Sequence, residues 1–164
     1  MADDQIAAIS QAISEGSLFV GAELDNGSTE SGLVLIEGVQ PRFTALSGDN
    51  EVPPVMAFSN GSGFLNVNTL TGDYTTAVNI NLNPADLDPS GIPQVITMVH
   101  IHFGGPTENV PPGVFLEDTG NNTTWVANGT FTTGELSDVI EGNSYFNVHG
   151  TDGSGLIRGQ IPAL

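Results

Sequence analysis

The chain of 164 residues has no cysteine and no lysine, and its only positive charges are Arg42 and Arg158. The absence of cysteine excludes disulfides and thiolate metal sites together. It leaves the redox compartment open, because exported bacterial proteins can also do without cysteine. Against the two arginines stand 19 acidic residues, a formal charge of −17 at pH 7. A surface of that sign repels nucleic acid and anionic membranes, so neither is expected as a partner. It attracts cations, and it suits a protein that stays soluble in salty or extracellular surroundings. No apolar run reaches the ~18 residues of a membrane helix, so no membrane insertion is expected. Met1-Ala2-Asp3-Asp4 also lacks a basic region and an apolar core. If the protein is exported, its signal is not in this sequence.

What is abundant is turn chemistry. There are 21 glycines and 10 prolines, which favours many short strands joined by turns. The length suits one ordinary domain that folds without covalent staples. Ile6, Ile9 and Ile13 fall at helical spacing between Asp3 or Asp4 as a cap and Gly16 as a stop, which predicts a short amphipathic helix over 3–15. Leu18-Phe19-Val20 and Leu33-Val34-Leu35-Ile36 flank the turn signal Asp25-Asn26-Gly27-Ser28, which predicts a hairpin. Residues 1–40 are thus expected to form an extension ahead of a main domain at 41–164. There the expected strands are 43–47, 62–68, 73–82, 94–102, 113–118, 124–132, 144–150 and 155–162. About eight such strands make an all-β sandwich or Greek-key barrel. Two longer loops interrupt them, Asn83 to Pro93 and Gly104 to Gly113.

The run Val99-His100-Ile101-His102-Phe103 carries the clearest chemistry. Side chains alternate along a strand, so His100 and His102 share one face while Val99, Ile101 and Phe103 share the other. Two strand positions span about 6.6 Å, a gap that two imidazoles can close on one ion with bonds of about 2 Å. The remaining histidine, His149, ends another strand-like run, Ser144 to His149. Three neutral imidazoles suit copper or zinc, and the order of divalent affinities puts Cu(II) first. Asn147 shares a strand face with His149 and is placed to support a ligand from behind. Three ligands leave a position open for water or a small molecule. Because ligation needs neutral imidazole, occupancy is expected to fall as pH drops below ~6.5. The competing reading is that the histidines are merely structural. Glu108, Glu117 and Asp118 lack the spacing of a calcium loop, and the Asn-x-Ser/Thr triplets at Asn26, Asn60, Asn121, Asn122 and Asn128 arise readily by chance in a chain of this composition.

Four blocks resemble the CHRD domain family, a module first noticed in chordin and widespread in secreted bacterial proteins. They are Leu46 to Val55, His100 to Gly104, Tyr145 to His149 and Ile157 to Ile161, in family order over about 43–162. This chain departs from the pattern with Leu156 where a Glu is usual and Gly150 where a Thr is usual. A more distant resemblance is to the Cu,Zn superoxide dismutases, whose Greek-key barrel sets a His-x-His strand beside a late histidine. That resemblance implies His100, His102 and His149 as copper ligands, with neither a zinc loop nor a bridging histidine. Within the CHRD-like blocks, Glu51 and Arg158 carry opposite charges and are expected to pair, pinning the first strand of the module to the last; the alternative is an exposed Arg158. The expectation is a secreted, periplasmic or cell-surface protein that binds one copper ion. The alternatives are a copper-only dismutase-like enzyme and an extracellular adhesion or protein-interaction module whose partner the sequence does not specify. Steering disfavours dismutation, since superoxide is an anion and the surface is strongly negative.

Overall fold

A computed structural model describes residues 19–23, 29–33 and 38–164. The helix expected at 3–15, and Leu18, the turn Asp25-Asn26-Gly27-Ser28, and Val34, Leu35 and Ile36 of the expected hairpin, lie outside the described residues. The chain divides into two compact units, Met1–Val39 and Gln40–Leu164. In the first, β1 (Phe19–Glu23) pairs antiparallel with β2 (Thr29–Leu33), Phe19 facing Leu33 and Glu23 facing Thr29.

The second unit is nearly all β. Its strands are β3 (Val39–Ser47), β4 (Asn60–Asn68), β5 (Asp73–Asn81), β6 (Met98–His102), β7 (Pro112–Phe115), β8 (Glu117–Asp118), β9 (Thr124–Thr130), β10 (Ser144–His149) and β11 (Gly155–Ile161). They form one nine-stranded sheet in the order β7-β6-β10-β11-β3-β4-β5-β9-β8. The neighbours β6–β10, β5–β9 and β11–β3 are not consecutive in the chain, which is Greek-key connectivity.

One expected strand, 113–118, is in fact two. β7 and β8 are separated only by Leu116 yet occupy opposite ends of the strand order. Leu116 itself is buried, and its N–H donates to the carbonyl of Val99 at 2.9 Å. The chain therefore steps from one edge of the sheet to the other at this residue and nearly closes it into a barrel, leaving little exposed edge.

Helix α1 (Thr133–Glu141) links β9 to β10, a segment between two expected strands. Its start is a capping box: the Glu135 N–H donates to Thr132 Oγ1 and the Thr132 N–H to the Glu135 carboxylate at 2.7 Å. Gly142 ends it in the left-handed conformation, at φ 77°. Thr132-x-x-Glu135 followed by Leu136, Val139 and Ile140 is the signal in the sequence for this helix. No helix among the described residues is long and apolar enough to cross a membrane.

A continuous core fills the barrel, including Leu46, Leu65, Val67, Val78, Val99, Ile101, Phe146, Val148, Ile157 and Ile161. On β4 and β5 burial alternates, with Leu65, Val67, Val78 and Ile80 inward and their neighbours half-buried or exposed. That is the period of a sheet wetted on one face. β6, β10 and β11 are instead buried along nearly their whole length. Their outer face is roofed by loop residues, and the chain's chemistry lies under that roof.

Candidate metal centre

Antiparallel pairing of β10 with β6 sets Tyr145 opposite His102 and Asn147 opposite His100. On its other flank β10 pairs with β11, placing Asn147 opposite Arg158. The register slips between Val148 and His149, so that His149 faces Gly155, and such a bulge re-aims the side chain that follows it. The outer face thus gathers His100, His102, Tyr145, Asn147, His149 and Arg158, while Val99, Ile101, Phe146, Val148 and Ile157 point into the core.

The three histidines converge. One ring nitrogen from each of His100, His102 and His149 lies within 4.8 Å of the others. The ring centroids of His100 are 4.4 Å from those of His102 and 4.7 Å from those of His149. An ion with ~2 Å bonds holds its donors up to about 4 Å apart, so closing the cluster takes a shift of about 1 Å.

Two loop carbonyls decide which nitrogens face inward. His102 Nδ1 lies 2.6 Å from the carbonyl of Val110, and His149 Nδ1 lies 2.8 Å from the carbonyl of Gly153. A carbonyl only accepts, so in each ring Nδ1 carries the proton and donates it. Nε2 is left as a bare lone pair. Among the described residues, three ring nitrogens are buried without a hydrogen-bond partner: His100 Nδ1, His102 Nε2 and His149 Nε2. Orphaned polar atoms cost about 1–3 kcal/mol each, and three on one spot is the signature of a missing partner that accepts lone pairs.

The surroundings keep the His100 and His102 rings neutral. Burial, with the neighbouring His102 and His149 adding to it, lowers the His100 imidazole to about 3, far below the usual range. Burial also lowers His102, partly offset by its bonds to the backbone at Val110 and Pro111. Protons therefore compete for these two nitrogens only below the pH of ~6.5 at which free imidazoles titrate.

A cavity of about 260 Å³ adjoins the cluster, lined among others by Glu51, Val52, His102, Tyr145, Asn147 and His149. Asn147 turns to Glu51, its amide nitrogen donating to Glu51 Oε2 at 3.2 Å. It is close to the histidines without bonding to one among the described residues. Glu51 is buried, and desolvation pushes its carboxyl up, against the hydrogen bond from Asn147 and the charge of Arg158. Gly155 makes room for it, since a Cβ there would sit 2.7 Å from both carboxylate oxygens.

Arg158 is 1 % exposed and does not stand free in solvent. Its fork turns to the loop roof instead: Nη1 donates to the Glu108 carbonyl at 2.9 Å and to Asn109 Oδ1 at 3.3 Å, and Nη2 to the Gly105 carbonyl at 2.9 Å. Arg158 and Glu51 feel each other through charge, without a hydrogen bond between them among the described residues. β11 aims Arg158 toward the 104–112 loop, where planar carbonyl groups suit its rigid fork.

Residues 43–161 match the CHRD domain as a family. The chain belongs to the CHRD domain family. CHRD domains are typically extracellular. No curated protein and no solved structure matches the chain significantly, so the likeness to Cu,Zn superoxide dismutases rests on the histidine layout alone. This CHRD domain accounts for one of its own departures. A Cβ at Gly150 would collide with the carboxamide of Gln94, whose oxygen accepts the Thr151 N–H at 2.7 Å. The glycine is what lets that side chain dock.

Sequence reasoning missed three contributors. The carbonyls of Val110 and Gly153, which set the tautomers, are backbone atoms with no letter of their own. Tyr145 was read only as part of a motif, yet its ring stacks on His102; its place directly across from a ligand candidate on the neighbouring strand was the available signal.

Proposed function

We propose that this CHRD domain binds a single copper ion through His100 Nδ1, His102 Nε2 and His149 Nε2, and that it does so outside the cytoplasm as a secreted or surface protein that buffers or carries the ion. The observation that carries the reading is the trio of buried, unpartnered ring nitrogens in one place. Neutral imidazoles fit Cu(II) ahead of the neighbouring divalent metals, and zinc is the alternative. The ion would bring Lewis acidity and a one-electron couple. The chain's own residues do the rest: Val110 and Gly153 orient the His102 and His149 rings, burial keeps His100 and His102 neutral, and the adjoining cavity leaves space for water or a small molecule at an open position. Asn147 supports the site indirectly, by holding Glu51 at its border.

Metal analysis of protein purified without a histidine tag, followed by calorimetric titration with Cu(II) and Zn(II), tests this. One copper per chain, bound more tightly than zinc, is the expected result. No bound metal would leave the adhesion-module reading in its place. Superoxide turnover by the copper-loaded protein is expected to be slow, because the formal charge of −17 opposes an anionic substrate. Rapid turnover that falls with added salt would move the assignment to a dismutase.

A further inference from the structure

Tyr145 is fully buried, yet it stands outside the continuous apolar core. β10 lies between β6 and β11 in the sheet, so the ring of Tyr145 has His102 on one flank and Arg158 on the other. On the first flank it stacks on the imidazole, with centroids 4.6 Å apart and planes 12° from parallel. On the second, the guanidinium carbon of Arg158 lies 3.3 Å from the ring centroid. The result is a pile of three flat groups, cation, phenol and imidazole, ending at a ring whose far nitrogen is unpartnered.

The charge at the end of this pile is poorly compensated. The acceptors on Arg158 are the carbonyls of Glu108 and Gly105 and the amide oxygen of Asn109, all neutral. The nearby acid, Glu51, accepts from Asn147 and makes no hydrogen bond to Arg158 among the described residues. A buried cation in a medium of low dielectric acts over several ångströms.

We infer that the Arg158–Tyr145–His102 stack sets the redox balance of the ion bound at the histidines. Tyr145 is a positioning residue that fixes the plane of the His102 ring, and Arg158 supplies a fixed positive charge that favours Cu(I) over Cu(II). The inference rests on the copper reading above. Its logic is electrostatic: oxidising Cu(I) adds a positive charge beside one that is already buried and cannot move away. Lysine would keep the charge but lose the flat contact, and phenylalanine at 145 would keep the contact but lose the hydroxyl.

The test measures Cu(I) affinity by competition with bathocuproine disulfonate and Cu(II) affinity by competition with nitrilotriacetate. In Arg158→Gln the ratio of Cu(I) to Cu(II) affinity should fall about tenfold, equivalent to ~59 mV for a one-electron couple. Arg158→Lys and Tyr145→Phe should stay within about threefold of the wild type, and Tyr145→Leu should fall with Arg158→Gln. A ratio unchanged within about twofold in both Arg158→Gln and Tyr145→Leu, with copper still bound, would overturn the stack's role and leave the copper site standing. If Arg158→Gln fails to fold, the pair Tyr145→Phe against Tyr145→Leu decides alone. If the wild type binds no copper, both this inference and the proposed function fall.

Discussion

The two halves of this barrel treat the same strand period in opposite ways. Along β4 and β5 every second residue is buried and the outer face meets water, so the strands carry structure and little else. Along β6, β10 and β11 both faces are covered. The inner one is largely apolar, whereas the outer one leaves His100 Nδ1, His102 Nε2, His149 Nε2, Glu51 Oε1 and Asn147 Oδ1 without partners among the described residues. Burial on the first half stabilises the fold. On the second half it is used against stability, to hold bare lone pairs and one cation out of water, and that is where a bound ion gains most.

The comparison breaks most visibly in the core. Leu65 on β4 is completely buried, and Leu65→Ala should cost about 2–5 kcal/mol by urea unfolding while copper stoichiometry stays at one. His149→Ala should do the reverse, weakening copper by about 100-fold or more with a stability change of about 1 kcal/mol or less in the metal-free protein. If Leu65→Ala also emptied the site, the two halves would not be separable. Arg158→Leu leaves three loop acceptors unmatched and should cost about 2–3 kcal/mol, again without changing metal content.

The smallest effect is a pH slope. In the folded chain burial holds His100 near 3, whereas in the unfolded chain it titrates near 6.5. Between those values the unfolded state binds the extra proton, so this histidine makes metal-free protein less stable as pH falls from about 6.5 toward 3, by at most about 1.4 kcal/mol per pH unit. His102 pulls the same way. Glu51, pushed up, pulls the other way by taking its proton earlier when folded. Metal-free His100→Gln should therefore lose less stability than wild type between pH 7 and pH 5, compared by urea midpoints in chelator. Parallel losses in the two proteins would contradict the burial argument.

Much of this was readable from the residues, and the reasons are physical. Period-two alternation located the strands of the barrel, and it placed His100 and His102 on one face because that geometry follows from pleating alone. Asn147 and His149 followed by the same rule. What was not readable depends on distant backbone. The tautomers of His102 and His149 are chosen by carbonyls of Val110 and Gly153, and any residue type supplies a carbonyl. Glu51 and Arg158 were matched by charge, whereas their hydrogen bonds, from Arg158 to Gly105, Glu108 and Asn109 and from Asn147 to Glu51, depend on loop geometry. The Tyr145 stack needed three strands in register at once. Helix α1 was readable, through Thr132 and Glu135, but the turn-rich sequence around it drew attention to strands.

The most direct test of the central claim is a Cu(II) titration followed by electron paramagnetic resonance, wild type against His149→Ala. Wild type should fill at one Cu(II) per chain with splitting from coordinated imidazole nitrogens, and His149→Ala should lose that signal or show a changed ligand set. An identical spectrum and stoichiometry in the two proteins would mean that residue 149 does not share an ion with His100 and His102, and the assignment of the metal centre would fail.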